Sequence, residues 1–142
     1  MDNFSELSLR PALLNNLLKH GFVQPTAVQA LAIPPAIAGR DVVATAQTGT
    51  GKTLAFLVPL IESLLGRRDR RGIQALVLSP TRELAIQINE SLTKLAAGTS
   101  MRAAVVVGGM SEARQLDAIR ARPQILIATP GRLCDFMNRS RG

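Results

Sequence analysis

Eight consecutive residues carry the densest chemistry in this sequence: Ala46-Gln47-Thr48-Gly49-Thr50-Gly51-Lys52-Thr53. They fit a phosphate-binding loop ending in Gly-Lys-Thr, with alanine where the first glycine usually stands. The order has a physical reason. Glycines let successive N–H groups turn inward around a β-phosphate, and a helix beginning near Gly51 adds its positive end. Lys52 places a point charge on the β- and γ-oxygens. Thr53 offers a hydroxyl to Mg²⁺, an ion that keeps several waters and takes few protein ligands. A glycine turn with a merely solvated lysine is the plainer alternative, but it leaves the hydroxyl and the flanking elements unexplained. A nucleoside triphosphate with Mg²⁺ is the expected ligand.

The rest of the chain must position that loop. Its 142 residues suit one domain with one core. With 46% hydrophobic and 19% charged residues it is no disordered tail. Four Phe, with neither Trp nor Tyr, argue against a platform that stacks bases on aromatic faces. The net charge of +7 favours an anionic partner. One cysteine, Cys134, excludes an internal disulfide, and with one histidine, His20, it excludes a zinc site built from His and Cys. Cys134 lies in the apolar run Leu133, Cys134, Phe136, Met137 and is expected to be a small buried thiol. His20, beside Gly21, is expected at a helix end. No apolar stretch approaches the ~18 residues of a membrane span, and the start lacks the pattern of a signal peptide. The expected compartment is the cytoplasm, with no membrane contact.

The chain reads as alternating helices and strands. Ser8 can cap a helix with Leu9, Leu13, Leu14, Leu17 and Leu18 on one face, closed by Gly21. Thr26 can cap a second through Ala27–Ala32, interrupted near Pro34-Pro35. Residues 41–45 form a short β-branched run that predicts a buried strand, and a helix follows from about Gly51 to Leu65. The arginine-rich stretch 67–71 reads as a solvated connection. Further strands are predicted at 73–78, 103–107 and 124–128, with helices at 81–97, 111–121 and 130–137. Four strands separated by helices predict an open, mostly parallel α/β sheet with helices on both faces.

With these segments in order, the chain resembles the DEAD-box family of ATP-dependent RNA helicases. The loop Ala46–Thr53 matches that family's form. Residues 21–29, Gly-Phe-Val-Gln-Pro-Thr-Ala-Val-Gln, resemble its Q motif, with Phe4 at the offset of the family's upstream aromatic. Residues 80–85, Pro-Thr-Arg-Glu-Leu-Ala, resemble motif Ia, Gly108-Gly109 the glycine doublet, and Thr129-Pro130-Gly131-Arg132 motif Ib. The general pattern is similar to the bacterial RhlE-like branch. The resemblance implies a RecA-like P-loop fold and the following roles. Gln29 pairs with the adenine edge, its amide offering one donor and one acceptor. Phe4 packs on the adenine ring, and Thr26 doubles as helix cap and loop brace. The nucleotide site takes in Gln24 and residues 47–53, with Lys52 and Thr53 nearest the chemistry. Pro80, Thr81, Arg82, Gly108, Gly109, Thr129, Pro130, Gly131 and Arg132 meet the backbone of single-stranded or structured RNA. These residues follow the ends of predicted strands, the edge where open α/β sheets bind ligands. They suit phosphate oxygens and carry no base code. Plain helix-start chemistry explains the Pro and Thr residues here but not both arginines.

A P-loop ATPase also needs an aspartate at a strand end for Mg²⁺ and a group that positions the attacking water. The predicted strands end at or lead directly into Thr45, Ser79, Gly108 and Thr129, and no two acidic residues are adjacent anywhere. The Asp-Glu-Ala-Asp motif of the family is absent, as are its second RecA-like lobe and that lobe's arginines. Residues 1–142 are therefore expected to be the N-terminal portion of lobe 1, truncated. A stand-alone, non-catalytic nucleotide- and RNA-binding module is the alternative. A P-loop protein of another kind, such as a kinase or DNA translocase, would lack the ordered Q, Ia and Ib segments.

Overall fold

A computed structural model describes residues 2–47, 49, 51–67 and 72–139, the side chain of Arg139 excepted. Helices α1 (Pro11–Lys19), α2 (Ala27–Ile37) and α3 (Lys52–Leu65) precede strand β1 (Ala75–Leu78) and helix α4 (Arg82–Leu95). Strand β2 (Ala103–Val106), helix α5 (Glu112–Arg120), strand β3 (Ile125–Ala128) and helix α6 (Pro130–Arg139) complete the order. The chain divides into two compact units, residues 1–68 with 91–100 and residues 69–90 with 101–142.

The first unit is helical. Leu13 and Leu17 of α1, Ile33 of α2, and Leu57, Val58, Ile61 and Leu64 of α3 are fully buried, the i, i+3/i+4 stripes that amphipathic helices turn inward. Helix α1 begins at Pro11, which supplies the preset φ of a first helical position; Ser8, the expected cap, instead ends a short 3₁₀ turn at φ 55°. Glu62 of α3 anchors that start, accepting from the Arg10 backbone N–H at 2.6 Å and facing the Arg10 Nε at 3.4 Å. His20 caps the C-terminus of α1, as its neighbour Gly21 suggested. Helix α2 does not stop at Pro34-Pro35 but runs to Ile37. The prolines remove two donors, yet their carbonyls still accept, from Ala38 at 3.1 Å and Arg40 at 3.1 Å, so the last turn closes. Asn16 donates at 2.8 Å to both the Leu95 and Ala97 carbonyls, which end α4. Asn16→Ala is expected to remove about 1–2 kcal/mol of stability, read as a lower denaturant midpoint at unchanged slope.

The second unit holds a parallel sheet in the order β1-β3-β2, with Leu78 and Val106 both level with Ala128. The central strand Ile-Leu-Ile-Ala is buried on both faces, the signature of a parallel sheet covered on each side. Ala104, Val106, Leu126 and Ala128 pack with Phe136 of α6 against Leu116 and Ile119 of α5 and Leu133 of α6. The fold is α/β as expected, with three strands rather than four among the described residues. Residues 41–45 form no strand: they are exposed, Val43 to 96%, because β-branched residues make a strand only where a partner ladder exists. Leu76 and Leu78 of the edge strand β1 are also more than half exposed. Cys134 is exposed, against expectation. Helix α6 turns Leu133 and Phe136 to the core, and Cys134 falls with Met137 on the adjacent, exposed stripe. No helix among the described residues is long and apolar enough to cross a membrane.

Candidate functional site

In the first unit, the Q-like segment and the phosphate loop meet at one buried side chain. Thr26 and Gln29 form a capping box at the start of α2: the Gln29 Oε1 accepts from the Thr26 N–H at 2.9 Å, and the Thr26 Oγ1 lies 3.5 Å from the Gln29 N–H. Gln29 is 4% exposed, and its Nε2 donates to the Gly51 carbonyl at 3.1 Å. One amide thus ties the cap of α2 to the cap of α3. Gly51 sits at φ 87°, and a Cβ there would collide with the Gln29 Nε2 and reach the Thr26 Oγ1 at 3.1 Å. Only glycine meets both demands. These bonds use one of the two N–H groups and one of the two lone pairs of the Gln29 amide.

Helix α3 opens at Lys52, as the loop's sequence requires, with Lys52 exposed and Thr53 half-buried. Gln24, Gln47 and Gly49 are exposed, whereas Thr48 and Thr50 lie outside the described residues. Phe4 lies against the Q-like segment. It is completely buried, and its backbone N–H donates to the Val23 carbonyl at 3.0 Å. In this structure Phe4 is a core side chain under the Q-like segment.

In the second unit, the predicted RNA-facing residues come to one edge. Because β1, β2 and β3 end in register, the chain leaves all three at the same level. The Ser79 N–H donates to the Ala128 carbonyl at 2.9 Å, and the Thr129 N–H to the Val106 carbonyl at 3.0 Å. Thr81 caps α4, its Oγ1 accepting from the Leu84 N–H at 3.2 Å, and Pro80, Thr81 and Arg82 are exposed. Gly108 and Gly109 form an exposed turn after β2, and the Arg82 Nη1 lies 2.5 Å from where a Gly109 Cβ would stand. Thr129, Pro130 and Gly131 open α6.

Arg132 is not presented like Arg82. Its side chain is 14% exposed, its Nη1 lies 3.1 Å from the Glu112 Oε1, and its guanidinium sits 5.5 Å from the Phe136 ring centre. The 3.1 Å approach is an ion pair without hydrogen-bond geometry. Among the described residues, Arg82 pairs with the exposed Glu83 at 3.4 Å. Two residues of α5 that no motif flagged therefore attend this edge, Glu112 and the buried Gln115. A lone Gln or Glu in a polar helical stretch gives no sequence signal of either contact.

A parallel α/β sheet with helix-opening loops at its carboxyl edge, together with a Gly-Lys-Thr loop opening a helix, defines the RecA-like P-loop class. The chain belongs to the DEAD/DEAH box helicase family, which it matches over residues 26–142. It is 44% identical, over 98% of its length, to the DEAD-box ATP-dependent RNA helicase RhpA of Helicobacter pylori, from strains B128 and ATCC 700392 / 26695 alike. It also resembles the crystal structure of a DEAD box protein from the hyperthermophile Methanococcus jannaschii, with a TM-score of 0.89 and 38% identity over 98% of this chain. The chain spans 28% of the length of those relatives and 38% of that structure.

Proposed function

We propose that this chain is the front part of the first lobe of an ATP-dependent RNA helicase, supplying an adenine-nucleotide site and part of an RNA-backbone site. The narrower resemblance to the RhlE-like branch, and a cytoplasmic setting, belong to the same proposal. The observation that carries it is the common level of Thr81-Arg82, Gly108-Gly109 and Thr129–Arg132 at the ends of three parallel strands. Threonine hydroxyls, glycine amides and helix starts on one edge suit a run of phosphates and leave the bases unread.

On this reading, Gly49, Gly51 and the first amides of α3 cradle the phosphates, with Gln47, Thr48 and Thr50 completing the loop. Lys52 meets the β/γ oxygens and Thr53 the Mg²⁺. Gln29 directs its remaining donor and acceptor at the adenine edge, beside Gln24 and Thr26. Phe4, tied to that segment by its N–H to the Val23 carbonyl, packs on the adenine ring. In the whole protein, ATP hydrolysis and closure of a second lobe would separate or remodel RNA strands. The stand-alone binding module is the weaker reading, because the relatives over which the chain aligns are several times longer.

Arg82 is the best-placed test of the RNA edge. In the natural full-length protein, binding of a fluorescein-labelled ten-nucleotide uridine strand should weaken steeply as salt rises, as counterion release requires. Arg82→Ala should weaken it about tenfold and lower the salt slope by about 0.7, the value for one phosphate contact on a single strand. A salt-independent affinity, or an unchanged slope in Arg82→Ala, would count against backbone contact at this edge.

A further inference from the structure

Gln115 stands apart from the polar residues around it. It is 5% exposed in the middle of α5, a helix otherwise polar on its outer face. Its Nε2 donates to the Val107 carbonyl at 2.8 Å, and both groups are buried. Its Oε1 is buried without a hydrogen-bond partner among the described residues. A buried, unpaired carbonyl oxygen costs about 1–3 kcal/mol, and an apolar side chain of similar size would carry none of its own, though it would strip the Val107 carbonyl of this donor. What the amide achieves in return is a grip on one carbonyl.

That carbonyl belongs to the residue just before Gly108-Gly109. Val107 is the first residue beyond β2, where ladder pairing ends, so its carbonyl orients the peptide that leads into the turn. The turn then passes through φ 76° at Gly109, directly under the Arg82 guanidinium. Helix α5 is itself fixed beside the turn, with the Ser111 side chain accepting from the Arg114 N–H at 3.3 Å and the Gln115 N–H donating to the Ser111 carbonyl at 3.2 Å.

We infer that Gln115 is a positioning residue of the RNA-backbone edge, its amide setting the direction of the Gly108-Gly109 turn and, through it, the seat of Arg82. It touches no RNA itself. The inference rests on the RNA-backbone reading given above.

Gln115→Met keeps the side chain's length and removes its donor. In the natural full-length protein, Gln115→Met should bind the same labelled uridine strand about tenfold more weakly, with a salt slope lower by about 0.7 as one phosphate contact is lost. Affinity for a fluorescent ATP analogue should stay at the wild-type value. A merely structural role would lower the melting temperature and leave the salt slope alone. Should Gln115→Met fail to fold, Gln115→Asn keeps a buried amide too short to reach Val107 and should show the same loss of slope. Wild-type affinity and slope in a folded variant overturn the inference. Absence of RNA binding by the wild-type protein overturns the RNA-backbone reading instead.

Discussion

Replacing Gly51 by alanine should abolish measurable adenine-nucleotide binding and lower stability by about 2–4 kcal/mol. Two effects add. A Cβ at φ 87° forces a left-handed conformation that L-residues adopt only at about 1–2 kcal/mol. The same Cβ occupies the place of the Gln29 Nε2, so the bond from Gln29 to the Gly51 carbonyl must break and leave a buried amide unpaired. With that bond goes the link between the cap of α2 and the start of α3. Calorimetry with ATP should register at least a ~100-fold weaker affinity, equivalent to about 2.7 kcal/mol. Gln29→Ala should reproduce the loss without the left-handed strain, and with a smaller drop in melting temperature. Tight ATP binding by a folded Gly51→Ala would show that the phosphates are held elsewhere.

The second large effect concerns turnover. These 142 residues, expressed as they stand, should hydrolyse no ATP above background, with or without RNA. Among the described residues, β1, β2 and β3 lead into Ser79, Val107 and Thr129, so no strand delivers a carboxylate to a magnesium ion. No group of three or more metal-binding side chains occurs among those residues either. An arginine that reaches the phosphates in the transition state is worth about 10³-fold or more in phosphoryl transfer. Phosphate release measured with and without the uridine strand tests this. Turnover that vanishes in Lys52→Ala would refute it.

The helices and the loop were legible because their signals are local. Periodic leucines, a capping threonine and a Gly-Lys-Thr sequence each act through neighbours three or four residues away. The strands at 75–78, 103–106 and 125–128 were readable for a related reason: turn residues bounded short apolar runs. Residues 41–45 carry the same composition and form no strand, since a strand is stabilised by residues distant in sequence. The exposure of Cys134 follows from which of two adjacent stripes of α6 meets the sheet, a choice made by tertiary packing. Proline pairs usually end helices, but α2 closes its last turn with their carbonyls. At the candidate site, residue types were readable and their partners were not. The chain's order shows that Arg132 and Arg82 follow strands. Only the fold shows that Glu112 already holds one of them while the other lies open over a glycine turn.

One consequence lies in the order of the folding reaction with respect to concentration. Strand β1 pairs on one side only among the described residues, and Leu76 and Leu78 stand outward from it. Folding of a single chain is first order, whereas the meeting of two such edges is second order. Dilution should therefore favour the native form far more than cooling or added salt. Salt would screen the chain's positive charge and remove the repulsion that keeps those edges apart.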